Sequence, residues 1–368
     1  MGRGSSLVLV LLVILLLNND HASAVETLAW NDAGSTTTTT MPPWVQPRDR
    51  QLLDLTVGDM QVDMVVAKDA SGHFSTVSEA LDAARPVRGK RYVIYIKRGI
   101  YREEVVIRKN NIALIGDGIN ETVISVNKSR SGGGWASYDT AVVYAKGTML
   151  MARDLTIENT AGREAGAAVA LRSDSKHSVF YRCEFKGYED TLLADSNRQF
   201  YRECIISGTV DFIYGNAKAV FQESLLLARA PLKGKHNVIT AQGRDGPDGS
   251  SGFSLQNCRV TSHEDLNGAE TYLGRPWRNH SHVVFMQSFL DGIVHPSGWV
   301  PWDKADGNVP PTVYYGEFAN TGPGANLSKR VPWLHVMDAG QAEHYTGKRF
   351  IRGDEWLNAT GVAYQPGL

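Results

Sequence analysis

The 368-residue sequence lacks any excess of charge: 38 Lys+Arg stand against 39 Asp+Glu. No basic stripe emerges, which argues against nucleic acid as a partner. It also lacks a long apolar run. The longest, Leu7–Leu17, is well short of the roughly 20 residues that a membrane span needs. Cysteine is scarce, with Cys183, Cys204 and Cys258 alone. No His-rich cluster suggests zinc, and no carboxylate cluster has convincing calcium spacing. Asn-Gly pairs, the strongest two-residue hairpin signal, are missing between the strand-like runs from Met64 to Phe221. That weakens a β-sandwich reading.

What is present begins with an address. Arg3, the apolar run and Ala22-Ser23-Ala24 read as a secretory signal peptide over residues 1–24, cut after Ala24. Secretion permits disulfides. Sequons at Asn120, Asn127, Asn279, Asn326 and Asn358 are candidate glycosylation sites and fit the same route. Residues 25–60, with five Thr at Thr36–Thr40 and then Met41-Pro42-Pro43, read as a disordered linker. Arg48-Asp49-Arg50 within it is either a protease site or a solvated charged segment. The folded domain is expected over 61–368.

From Met64 onward, short β-branched runs recur beside Gly, Asn or Asp, at Tyr92–Ile96, Asn111–Ile115, Leu155–Ile157, Ser178–Phe180 and Ala219–Phe221 among others. A single helix stands out over Ser75–Ala84, with Ser75 and Ser78-Glu79 as its cap and Val77, Leu81 and Ala84 on one face. The segment Tyr181–Asn216 nearly repeats itself. Tyr181-Arg182-Cys183 returns as Tyr201-Arg202-Glu203-Cys204, and Gly187…Asp190 as Gly208…Asp211. A period of 20 to 21 residues signals a solenoid, and short strands with irregular corners fit a parallel β-helix with a short N-terminal helix cap. One coil then stacks Asp190 beside Asp211 and Cys183 beside Cys204. The latter pair is a candidate disulfide, with three free thiols as the alternative. Two close carboxylates split their pKa values, so that one serves as acid and the other as nucleophile or base.

Five ordered segments carry a more specific signal. Gly99-Ile100-Tyr101-Arg102-Glu103, Ala168-Val169-Ala170-Leu171-Arg172, Gly187-Tyr188-Glu189-Asp190-Thr191-Leu192, Gly208–Gly215 and Leu273-Gly274-Arg275-Pro276-Trp277 resemble the signature segments of plant pectin methylesterases. The resemblance runs from about Val62 to the C-terminus, without the inhibitor-like pro-domain that many relatives carry. It implies a right-handed parallel β-helix that hydrolyses the methyl esters of pectin in the cell wall, releasing methanol and free carboxylates. It implies no cofactor or metal, a monomeric state, and a proteinaceous pectinesterase inhibitor as a further partner.

By position, Asp211 matches the nucleophile, Asp190 the acid/base and Arg275 the cation that lowers the nucleophile's pKa. Ser137, Trp277, Trp299, Tyr188 and Tyr214 match substrate-contacting positions. The pattern breaks at two glutamines that stabilise the oxyanion, where Ala167 and Glu189 stand here. Losing one such donor typically costs about 10²–10³ in rate. Three readings stand at this level: an esterase in which a protonated Glu189 replaces the Gln donor, an inactive homologue serving as a wall- or partner-binding module, and a lyase or polygalacturonase on the same fold.

Overall fold

The computed structural model describes residues 61–368. The signal peptide, the linker and the Arg48–Arg50 segment lie outside the described residues. Within them the chain winds as a parallel β-helix, with the right-handed crossover that parallel connections take. Parallel strands form one seventeen-stranded sheet, which follows the coil around two of its sides, and one seven-stranded sheet. The seven-stranded sheet runs from Val105–Ile107 through Val143–Ala145, Leu171–Ser173, Leu192–Ala194, Ile213–Gly215 and Asn237–Gln242 to Thr271–Pro276. No described helix is long and apolar enough to cross a membrane.

The 21-residue repeat is one turn of this coil. Glu184 pairs with Ile205 and Leu192 with Ile213. Inside, the rings of Phe180, Tyr201 and Phe221 stack in register at centroid distances of 4.9 and 4.6 Å. That is the natural spacing of neighbouring strands, so identical positions in successive coils build a continuous aromatic column. Each coil also bends at the same place. Asp154, Arg182, Glu203, Glu223, Asn257 and Gln287 all have φ between 48° and 55°, a left-handed conformation costing roughly 1–2 kcal/mol for such residues. Hydrogen bonds to the next coil hold them there: Glu203 N–H donates to the Gln222 carbonyl and Glu223 N–H to that of Gln256. Arg182 also clamps Asp154 through two hydrogen bonds of 2.7 and 3.0 Å.

The helix that covers the coil's N-terminal end spans Val77–Ala83. Its cap is Thr76, whose hydroxyl accepts from Glu79 N–H, rather than Ser75. Val77, Ala80, Leu81 and Ala84 are buried against the first coils.

Cys183 and Cys204 do fall in register, one residue past those left-handed corners. The expected disulfide between them is nevertheless a correction. All three cysteines are buried free thiols. Side chains in register on parallel strands leave side by side rather than converging, and each thiol finds backbone carbonyls instead, Tyr181 for Cys183 and Phe180 and Arg202 for Cys204. Burial raises the pKa of both thiols, Cys204 to about 12, which leaves them without thiolate character.

Trp299 shows how the interior is filled. It bridges Gly274 across neighbouring coils and lies 1% exposed in the core. Its indole N–H donates to Glu317, which Arg330 holds in a buried ion pair at 2.7 Å. A Cβ on Gly274 would stand 3.0 Å from the Trp299 ring and collide with Thr240. Gly274→Ala is therefore expected to destabilise the protein by roughly 1–3 kcal/mol. Chemical denaturation measures this, and an unchanged midpoint would contradict the close packing described.

Candidate active site

Asp190 and Asp211 precede consecutive strands of the seven-stranded sheet, at the corner where each coil enters it. Both adopt left-handed φ, 65° and 51°. Such strain in non-glycine residues clusters where side chains must be aimed. The register places the two one coil apart and side by side: Asp190 N–H donates to the Val210 carbonyl and Leu192 N–H to that of Phe212.

Arg275 enters two coils further on. The small Ala241 pairs with it and with Tyr214, so nothing bulky intervenes. Its guanidinium grips Asp211 with both prongs, Nε to Oδ1 at 2.9 Å and Nη2 to Oδ2 at 2.6 Å. Above it lies Trp302, whose ring centroid is 4.2 Å from the guanidinium carbon. The Trp302 carbonyl also accepts from Arg275 Nη1 at 3.4 Å.

The electrostatics divide the carboxyl groups. Burial pushes Asp190 well above the usual carboxylate range, and the charges of Asp211 and Glu189 push it the same way. Asp211, only 6% exposed, is also raised by burial, with the Arg275 hydrogen bonds and charge opposing. Arg275 lowers the Asp211 pKa, as expected from the sequence, but burial, which the sequence reading left out, is the larger effect and leaves the net shift upward. Arg275 offsets desolvation without overturning it. The division of roles survives, because only Asp211 has a bidentate cation, and Asp190 is the one left to carry a proton. Glu189 is raised as well, by burial first and then by Asp211, with Lys235, Arg275 and Arg130 opposing.

Two hollows flank this centre. One of about 210 Å³ is lined by Glu189, Thr209, Val210, His236, Lys235 and Arg275, among others. The second, of about 640 Å³, has aromatic walls in Trp135, Tyr138, Tyr214 and Trp277. Ser137 lies there and joins the hollow to the acid. Tyr214 hydroxyl donates to Ser137 Oγ at 3.3 Å, and Ser137 hydrogen-bonds the Asp190 carboxyl. Trp277 meets Tyr214 edge-on at 6.0 Å. Gly243 is required beneath it, since a Cβ there would sit 2.5 Å from the Trp277 ring.

Of the residues singled out from the sequence, Asp190, Asp211, Arg275, Glu189, Ser137, Tyr214 and Trp277 come together. Trp299 does not, because it points inward. The tryptophan at the centre is Trp302, three residues on in the same Trp-Val-Pro-Trp run and 43% exposed. Tyr188 lines neither hollow. Arg229 lies 3.8 Å over its ring and donates to its hydroxyl at 2.7 Å. Ala167 is buried and offers no side-chain donor.

Sequence reasoning passed over Lys235 and His236, which sit in a connection without periodicity between Leu225–Ala228 and Asn237–Gln242. Burial, with Lys304 and Arg275 nearby, lowers the His236 pKa. Among the sequons, Asn120, Asn127, Asn279 and Asn326 are exposed, while Asn358 is half-buried with its amide donating to the Asp354 carbonyl. No group of three metal-ligating side chains occurs among the described residues.

Comparison with known proteins agrees with this geometry. The family model described as Pectinesterase matches residues 63–354. A pectinesterase/pectinesterase inhibitor of Prunus persica is 47% identical over 336 residues, covering 88% of this chain and 63% of that protein. Pectinesterase 2 of Citrus sinensis is likewise 47% identical, with 89% and 64% covered. The chain thus spans less than two thirds of the length of these relatives. Among solved structures, pectin methylesterase from carrot superposes with a TM-score of 0.81 at 44% identity, covering 85% of this chain and 99% of that one. A pectin methylesterase in complex with a hexasaccharide gives 0.69 at 26% identity, covering 84% and 99%.

Proposed function

The chain belongs to the pectinesterase family, and from that premise we propose that it hydrolyses methyl esters of pectin, with residues 61–368 as the catalytic unit. The single observation carrying this reading is the pairing of a buried Asp190 with an Asp211 gripped by Arg275. An inactive binding module would have no use for a strained, buried carboxyl pair held at this cost. A lyase would need a basic proton abstractor at the centre, and Arg275 is already committed to Asp211. Calcium-independent release of methanol distinguishes the esterase from the lyase.

In the proposed reaction the Asp211 carboxylate attacks the carbonyl carbon of the C6 methyl ester. The tetrahedral intermediate collapses, Asp190 gives its proton to the departing methoxide, and methanol leaves. Asp211 is then joined to the uronate as an acyl-enzyme anhydride. Asp190, now ionised, takes a proton from water, whose oxygen attacks the uronate carbonyl. Collapse frees Asp211 and a uronic acid, and Asp190 is again protonated. Trp277 and Tyr214 offer apolar breadth with a polar tip against a sugar face. Trp302, stacked on Arg275, shields the ion pair from water and so strengthens it.

Glu189 occupies the place of an oxyanion donor. Ionised, it repels the intermediate; protonated, it donates as an amide would. Its pKa is raised, so the donor form persists to higher pH than an ordinary glutamate allows and is lost as pH rises further. Activity is expected to lean to the acid side, and Glu189→Gln should raise neutral-pH turnover by roughly 10-fold or more. Initial rates of methanol release at neutral pH check this, and a variant no faster than the parent would refute the role.

We further propose an extracellular, monomeric protein acting on wall pectin. The exposed sequons support the secretory route. The exposed Trp135, Tyr138 and Trp302 around the cleft offer an inhibitor protein a surface to cover.

A further inference from the structure

Asp190 has a partner that takes no part in the bond changes at the ester. Ser137 hydrogen-bonds its carboxyl, and Ser137 Oγ in turn accepts from the Tyr214 hydroxyl at 3.3 Å. The Tyr214 proton is thus spent on Ser137, which leaves the Ser137 proton for Asp190. The two hydroxyls come from places 77 residues apart in the sequence. Tyr214 is buried in the seven-stranded sheet, in register with Leu193 one coil before. Ser137 opens the short turn Ser137–Thr140, and that turn is pinned from beneath. Buried Thr140 donates to the Ser137 carbonyl at 2.6 Å and accepts from Val169 N–H at 2.9 Å. The Asn159 amide, also buried, donates to the carbonyls of Thr140 and Val169 at 3.2 and 3.0 Å. Such a clamp fixes where the Ser137 hydroxyl stands relative to Asp190.

We propose that Ser137 and Tyr214 are positioning residues for Asp190: their relayed hydroxyl donation fixes which carboxyl oxygen carries the proton and steadies the negative charge left once that proton has gone to methoxide. The inference rests on the esterase reading and adds to it the support of its acid/base. A protonated carboxyl has one O–H. The oxygen that accepts from Ser137 is occupied, so the proton sits on the other and is delivered from there. As methoxide takes it, the Asp190 O–H bond breaks and the electron pair stays on the carboxyl. The Ser137 hydrogen bond then becomes charge-assisted and roughly twice as strong. Tyr214 polarises Ser137 in the same direction. No proton travels along the relay, and both residues end each step as hydroxyls. Water later returns a proton to the same Asp190 oxygen. Tyr214 suits this part. Burial and the charge of Asp190 push it well above the usual phenol range, with Asp195 adding to this and Arg172 opposing, so it stays a donor at every working pH. Beyond burial, the groups facing Asp190 itself are Asp211 and Glu189, which favour its protonated form, and Ser137 and Arg275, which favour the ionised one.

The test is the pH profile of kcat/KM for methanol release from methyl-esterified pectin, which reports the acid and base of the free protein. It is run in the Glu189→Gln background, where Asp190 alone sets the alkaline limb. Ser137→Ala should lower kcat/KM by roughly 10-fold. It should also move the alkaline limb upward by about one pH unit, because Asp190 loses a donor that favours its ionised form. The acid limb, set by Asp211, should stay in place. Tyr214→Phe keeps the ring beside Trp277 and should act in the same direction, by roughly 3-fold and with a smaller shift. Since Tyr214 acts through Ser137, the double variant should be no worse than Ser137→Ala alone. Ser137→Thr restores the hydroxyl and should restore the limb. An alkaline limb unmoved by Ser137→Ala, or full additivity of the two losses, would overturn the relay and leave both residues as contacts to the sugar. A parent chain that releases no methanol at any pH would instead overturn the esterase reading, and the relay with it.

Discussion

Asp211→Asn is expected to lower methanol release from methyl-esterified pectin by roughly 10⁴-fold or more, the scale seen when a hydrolase loses its nucleophile. Asparagine is the informative replacement. It matches the shape of aspartate, and it tolerates the left-handed backbone at φ 51° that would strain alanine. It also keeps one acceptor oxygen for Arg275, whose two prongs bind Asp211 at 2.9 and 2.6 Å. What it removes is the anionic oxygen that attacks the ester. The melting transition should therefore move far less than the rate. A variant within about tenfold of the parent would show that Asp211 only holds Arg275 in place, and the reaction would need another nucleophile.

The second large effect is expected at Asp190, with a different signature. Asp190→Asn should cost about 10²–10⁴ on the methyl ester, the usual worth of a positioned proton donor and acceptor. Methoxide is a poor leaving group and needs the Asp190 proton. An aryl ester of the same sugar does not, so the first half of the reaction should recover on it. The second half needs Asp190 as base and should stay slow. The aryl ester should thus give a burst of phenol near one equivalent, followed by slow turnover. Equal losses on methyl and aryl esters, without a burst, would remove Asp190 from proton transfer. The division of labour rests on surroundings rather than residue type. Both carboxyls are lifted by burial, but Asp190 is lifted further by its neighbours Asp211 and Glu189 while Asp211 has Arg275 against it. The pH dependence follows from the sign of these shifts. Activity should fall at low pH as Asp211 takes up a proton, and at high pH as Asp190 loses its own.

Much of this was legible in the sequence because a coiled fold turns spacing into contact. The 21-residue interval that separates Asp190 from Asp211 and Cys183 from Cys204 is the length of one coil, so distance along the chain became adjacency. Arg275 entered through a family resemblance, since the two coils between it and Asp211 leave no local periodicity. The misreadings have physical causes. Trp299 and Trp302 belong to one short run, and which of them faces inward depends on a bridge to Gly274 and the space that glycine leaves. Tyr188 has the composition of a sugar platform, but a guanidinium 41 residues away occupies its face. Stacking the cysteines was correct, whereas bonding them was not, because stacked thiols found carbonyls along their own and neighbouring strands. Lys235 and His236 lie in a connection where nothing repeats, and only the closed coil reveals that they look toward Glu189.

The central claim is that the carboxyl pair and Arg275 form a working esterase despite Ala167 and Glu189. Methanol release from highly methyl-esterified pectin, followed across a series from roughly pH 4 to 9 beside an Asp211→Ala control, tests it most directly. The account predicts release far above the control, strongest on the acid side of the series and unaffected by a calcium chelator. Release no greater than the control at every pH would contradict it and leave the chain a binding module built on an esterase frame.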